Sequence, residues 1–193
     1  MVTLTPLAGA LLGLINEQPR SGYDLRRVFA LTPMGHFSDS PGAIYPALRR
    51  LRDAGLAEST VEGEGTLRPR EIYRLTPAGL DALRAWATAP PTREDLIAGV
   101  QIVLLRFVLS YSSAGPDASR RFLERFEHEL VSYITDLREY YRVTAPAMHP
   151  GARLGLENGL EVFDSHVRWC RRARRALAKG KQPKQRTTRG AKR

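Results

Sequence analysis

The sequence predicts a mainly α fold in two parts: an N-terminal unit of three helices and a two-stranded hairpin, then an all-helical C-terminal unit. Three observations carry that expectation. Apolar residues recur at helical spacing in three short runs before residue 55, each opened by a capping residue. Two strand-like runs flank Glu62-Gly-Glu-Gly65 directly after them. Beyond Pro90-Pro91 the pattern is helical throughout, and its last two runs alternate intervals of three and four residues.

Leu4, Leu7, Ala8, Leu11, Leu14 and Ile15 share one face of a first helix, with Thr5-Pro6 as cap and first-turn proline and Pro19 as stop. Ser21-Gly-Tyr-Asp24 has the form of a capping box and opens a second helix, whose buried side is Leu25, Val28 and Phe29. Thr32-Pro-Met-Gly35 ends it. Ser40-Pro41 repeats the start signal for a third helix to about Ala54, and Gly55 stands where a left-handed cap is expected. Leu56 to Val61 and Arg70 to Leu75 read as the strands of a hairpin, and Thr76-Pro-Ala-Gly79 opens a fourth helix to about Thr88. Three helices with such a hairpin, or wing, make a winged helix-turn-helix.

Ala89-Pro-Pro-Thr92 is the expected boundary between a domain over residues 1–90 and a helical domain over 91–178. In the second, Thr92 with Asp95 caps a helix to about Tyr111, and Ser112 to Pro116 forms a break. Helices from Asp117 to about Val143 and from about Leu154 to Leu177 complete it. Leu123, Phe126, Leu130, Tyr133 and Leu137 form a seam on one, and Leu156, Leu160, Phe163, Val167 and Cys170 a seam on the other. Seams this short predict a packed bundle rather than a free coiled coil.

Bulk properties narrow the function. Formal net charge is +10, but residues 179–193 carry +7 of it, leaving +3 for residues 1–178. Affinity for a polyanion must therefore be argued from particular side chains. The tail reads as disordered, either adding non-specific DNA affinity or simply solvated. A lone Cys170 excludes an intramolecular disulfide and makes a reducing, cytoplasmic setting the expectation. The apolar stretches are too short to span a bilayer, so no membrane partner is expected. His166 and Cys170 lie four residues apart without further ligands, so neither a metal nor another cofactor is expected. No nucleophile–base pair suggests an enzyme.

The third helix carries the most specific signal. Turned by about 100° per residue, it places Ile44, Ala47, Leu48 and Leu51 on one side. Gly42, Pro46 and Arg49 fall opposite, flanked by Tyr45 and Arg52 on one edge and Arg50 on the other. A slim first half opened by Ser40 and a basic second half suit entry into a major groove. Pro46 speaks against a continuous helix, since an interior proline costs about 3 kcal/mol. Arg68 and Arg70 near the hairpin tip, and Arg74 behind them, suit the phosphate backbone or minor groove. Tyr23 either touches phosphate across the groove or is buried with its hydroxyl bonded.

The runs LLGLINEQPRSGYDLRRVF, SPGAIYPALRRLRDAGLAES and RPREIYRLTPAG resemble the PadR family of bacterial transcriptional regulators over residues 7–80. The resemblance implies a homodimeric winged helix-turn-helix regulator of double-stranded DNA, reading an inverted-repeat operator and acting as a ligand-responsive repressor. It places the Tyr45-Pro46 pair on the recognition helix and makes the C-terminal seams the dimerisation surface. Trp86 and Trp169 are candidates to line a pocket for a small aromatic effector, core packing being the other reading. Glu71 and Ile72 depart from the family, which often has a basic residue and an aromatic there; Glu71 is expected to repel phosphate. That departure leaves room for an alternative, a ligand-sensing or protein-interaction module whose helix-turn-helix no longer reads DNA.

Overall fold

A computed structural model of the chain describes residues 4–38, 40–63 and 69–179. The predicted Arg68, and the tail from residue 180, lie outside the described residues.

The N-terminal helices form where their caps put them. Thr5 accepts a hydrogen bond from the Ala8 amide and opens α1, Pro6–Glu17. In α2, Gly22–Leu31, both halves of the capping box are made: Ser21 accepts from the Asp24 amide and Asp24 from the Ser21 amide. A 3-10 turn over Pro33–His36 leads to α3, Pro41–Asp53, capped by Ser40 through the Gly42 amide at 3.2 Å. Gly55 adopts φ of +69°, a conformation that glycine takes without steric cost, and the chain turns there into the sheet.

The sheet has three strands rather than two. β1, Arg20–Ser21, pairs antiparallel with β3, Arg70–Leu75, which also pairs with β2, Ala57–Glu62, giving the order β1-β3-β2. The two residues just before α2 thus tie the start of that helix to the wing. α4, Pro77–Thr88, closes the unit. Leu11, Leu12, Leu25, Phe29, Ile44, Leu48, Tyr73 and Leu83 form its core.

The predicted helix from Thr92 to Tyr111 is broken. α5, Arg93–Ala98, stops at Gly99, whose φ of +140° no helix accommodates, and α6, Val100–Thr144, begins afresh. The break expected between Ser112 and Pro116 is a kink in α6 at Gly115, with φ of +84°. A short 3-10 turn, Ala145–Ala147, connects α6 to α7, Pro150–Lys179, which starts four residues earlier than its apolar pattern suggested. Among the described residues no helix is long and apolar enough to cross a membrane.

α6 belongs to both units. Leu105 and Leu109 pack into the N-terminal core, whereas Val103, Phe122, Leu123, Phe126 and Leu130 form a second core with Val167 and Cys170 of α7. The two seams therefore meet inside one chain. This corrects their reading as a dimer surface: Leu123, Phe126, Leu130, Val167 and Cys170 are buried by their own chain and out of a partner's reach. Tyr133, Leu137, Leu156, Leu160 and Phe163 are half-buried.

Arg106 joins the two cores. Only 5% exposed, it donates to the carbonyls of Trp86 and Ala89 and to the Asp95 carboxylate at 2.9 Å, and stacks over the Phe122 ring. One guanidinium thus ties the end of α4 to the cap of α5, with three charge-assisted hydrogen bonds for its own buried charge.

Candidate nucleic-acid interface

α3 is a continuous helix through Pro46. The missing proline N–H leaves the Gly42 carbonyl without its helical donor, but Gly42 lies on the exposed side, where water can satisfy it. The opposite side is fully packed, with Ile44, Ala47, Leu48 and Leu51 all at most 4% exposed. Burial of those four side chains anchors the helix strongly enough to hold a proline on its outer face.

That outer face carries most of the predicted set. Ser40, Gly42, Tyr45, Arg49, Arg50 and Arg52 are exposed, and Pro46 is half-buried. Tyr23 is 58% exposed, which removes the reading of it as a buried tyrosine. Its ring lies beside the Arg26 guanidinium, 5.5 Å from centroid to carbon. Tyr23, Tyr45 and Arg70 line one cleft of about 500 Å³ between the start of α2, α3 and the wing, with Gly22, Glu71 and Tyr73 among its walls.

Tyr45 is held in that cleft by Gly22. A Cβ at Gly22 would lie 2.5 Å from Cε1 of the Tyr45 ring, so only glycine allows the ring to rest against α2. Sequence reasoning missed this residue, because a glycine just after a cap looks like a turn preference. The tertiary contact that needs it spans more than twenty positions.

The arginines divide by what they touch. Arg49, Arg50 and Arg70 have no ion pair with any described residue. Arg74 is spent within the hairpin, donating to Thr60 at 2.7 Å and to Glu62 at 3.4 Å. Arg52 donates to Glu71 at 3.0 Å and lies 3.6 Å from Asp53. Glu71 also accepts from the hydroxyls of Ser59 at 2.7 Å and Tyr73 at 2.8 Å. Ser59, foremost among these donors, holds the Glu71 carboxyl below the usual carboxylate range, with Tyr73 and Arg52 adding to the effect. Burial, reinforced by that carboxylate, raises the Tyr73 phenol. The Glu71 charge, expected to repel phosphate, is here matched by a guanidinium of α3.

The two tryptophans do not share a pocket. Trp86 packs on Gly9 of α1 in the N-terminal core, while Trp169 meets Phe107 edge-on at 5.3 Å in the second core. Trp169 lines a cleft of about 510 Å³ with Leu104, Phe107, Val108, Ser165, His166 and Arg172. Burial lowers the His166 pKa, favouring a neutral imidazole there. Among the described residues no three His, Cys, Asp or Glu side chains group as a metal site requires.

Residues 11–85 match the transcriptional regulator PadR-like family. The negative transcriptional regulator PadR of Bacillus subtilis is 27% identical over 173 residues, covering 83% of this chain and 91% of that protein. Two crystal structures of Bacillus subtilis PadR are also similar. The one in complex with operator DNA has 23% identity, covers 86% of this chain and 96% of that one, and gives a TM-score of 0.43. The one in complex with p-coumaric acid has 23% identity, covers 91% and 97%, and gives a TM-score of 0.36. The matched segment takes in α3, the wing and most of both flanking helices, and over it this chain is similar to the PadR-like family of transcriptional regulators.

Proposed function

We propose that this regulator binds double-stranded DNA through the outer face of α3, with Tyr45 and Arg49 reaching into the major groove and Arg50, Arg70 and Tyr23 on the phosphate backbone. The observation that carries the reading is a packed helix whose exposed side presents Tyr45 and two arginines without ion-pair partners among the described residues. Ser40 and Gly42 keep the first turn slim enough for close approach. The 27% identity to a negative transcriptional regulator supports repression as the output. A gel-shift series on the DNA upstream of the protein's own gene tests the surface. Tyr45→Ala and Arg49→Ala should each lose about 1–3 kcal/mol of sequence-specific binding. Unchanged specific affinity in both variants would overturn it.

The chain acts as a homodimer in this reading, so that two recognition helices address an inverted repeat. With the centre of each seam spent internally, the half-buried Tyr133, Leu137, Leu156, Leu160 and Phe163, together with exposed Val143, Leu154 and Val162, form the surface for a second copy. A small aromatic effector enters at the Trp169 cleft rather than at Trp86, whose ring is committed to Gly9. Binding there would bias the angle between α6 and α7, and thereby the spacing of the recognition helices. Quenching of Trp169 emission, retained in Trp86→Phe and lost in Trp169→Phe, is the expected signature. With Glu71 matched by Arg52, Arg49, Arg50 and Arg70 are left without ion pairs among the described residues, which favours DNA reading over a module that no longer reads DNA.

A further inference from the structure

We infer that Glu71 is a positioning residue that holds Arg52 against the wing, so that one of the three arginines of the recognition helix is withheld from phosphate. The inference rests on the DNA-reading surface proposed above and concerns how many charges that surface spends.

The geometry is a closed set of contacts. Glu71 Oε1 accepts from Arg52 Nη1 at 3.0 Å and from Ser59 Oγ at 2.7 Å, while Oε2 accepts from Tyr73 Oη at 2.8 Å. Antiparallel register sets Ser59 opposite Tyr73 and Val61 opposite Glu71, which puts Ser59, Glu71 and Tyr73 on one face of the sheet. Tyr73 is 2% exposed and cannot move, so it fixes the carboxylate, and the carboxylate in turn fixes the guanidinium. Arg52 and Glu71 keep 41% and 40% of their side-chain surface exposed. Water therefore screens their attraction, and the pair adds little to stability. Its effect is on charge placement. Arg49 and Arg50 remain free of ion pairs among the described residues, whereas Arg52 reaches DNA already matched by Glu71, with Asp53 at 3.6 Å besides.

Non-specific affinity for DNA depends on the number of phosphates neutralised, with a slope of log K on log salt of about −0.9 per phosphate. Withholding one arginine lowers that sequence-independent component while leaving the base-reading half of the helix untouched. The pair thus favours discrimination over raw affinity.

The test measures the salt dependence of binding to a random-sequence duplex for the wild-type chain, Glu71→Gln, and the charge-neutral double variant Arg52→Ala/Glu71→Gln. Glutamine keeps one carbonyl acceptor and offers its amide N–H to the oxygen of the other hydroxyl, so the wing stays in place while the carboxylate that holds Arg52 is gone. The expected slope for Glu71→Gln is steeper by about 0.9, which is about 3.5-fold more affinity lost between roughly 50 and 200 mM salt. The double variant should return to the wild-type slope. Two results would overturn the inference. If Arg52 already contacts phosphate, Glu71→Gln leaves the slope unchanged and the double variant is flatter. If Glu71 acts on phosphate by itself, the steeper slope persists in the double variant. Either leaves the DNA-reading surface standing, whereas failure of the wild-type chain to bind any duplex removes that surface and the inference with it.

Discussion

Replacing Gly22 by alanine should separate DNA reading from folding. The added methyl would lie 2.5 Å from Cε1, 3.2 Å from Cδ1 and 3.4 Å from Cζ of Tyr45. Carbon atoms pack best at about 3.5–4.0 Å, so the ring must retreat by roughly 1 Å. It has room to do so, being 39% exposed. The fold loses little, and a helical alanine in place of glycine returns about 0.5–1 kcal/mol. The melting temperature should therefore hold or rise slightly. Binding is another matter, because a side chain displaced by about 1 Å no longer meets its partner in the groove. The loss should be about 1–3 kcal/mol, roughly 5- to 150-fold in Kd. Fluorescence anisotropy on a labelled duplex from the protein's own upstream region, paired with a thermal melt of the same preparation, reads both quantities. Unaltered affinity, or a melt that collapses while binding is retained, would refute the reasoning.

Three further predictions follow from the packing. Gly79→Ala places a methyl 1.9 Å from the Leu56 carbonyl oxygen, a backbone atom that cannot swing aside, so urea unfolding should show a loss of at least about 1–3 kcal/mol. Arg106→Leu strands the Trp86 and Ala89 carbonyls and the Asp95 carboxylate at the junction of the two cores. It should cost about 3 kcal/mol in the same assay, the low end of the range for breaking a buried pair because Asp95 keeps some access to water. The Cys170 thiol is pushed up to about 12, by burial first and by the Glu127 charge second. At pH 8 its alkylation should be about 1000-fold slower in the folded chain than in urea, as the scarcer thiolate dictates. Comparable rates in the two states would contradict that placement.

What could be read in the sequence was what local chemistry decides. Thr5, Ser21, Ser40, Thr76 and Thr92 each open a helix because the amide they cap lies two or three residues away. The two faces of α3 followed from helical period alone. Legibility ended where partners were remote. β1 is two residues long, below any pattern, and exists because β3 offers it an edge. The role of Glu71 depends on Arg52, nineteen positions away, and on a sheet register that brings Ser59 alongside. Arg106 interrupts an apolar run in the sequence, and the carbonyls it satisfies belong to a different helix end. The seams were correctly seen as helix-packing surfaces, but spacing cannot say whether the facing helix lies in the same chain or in another.

In the proposed reading the outer face of α3 meets duplex DNA. Photo-crosslinking tests it most directly, with a benzophenone amino acid placed at position 45 and, as a control, at Val143, which is 63% exposed on the far part of α6. A duplex adduct is expected from position 45, competed away by unlabelled operator, and none from position 143. Adducts from 143 without any from 45 would contradict it.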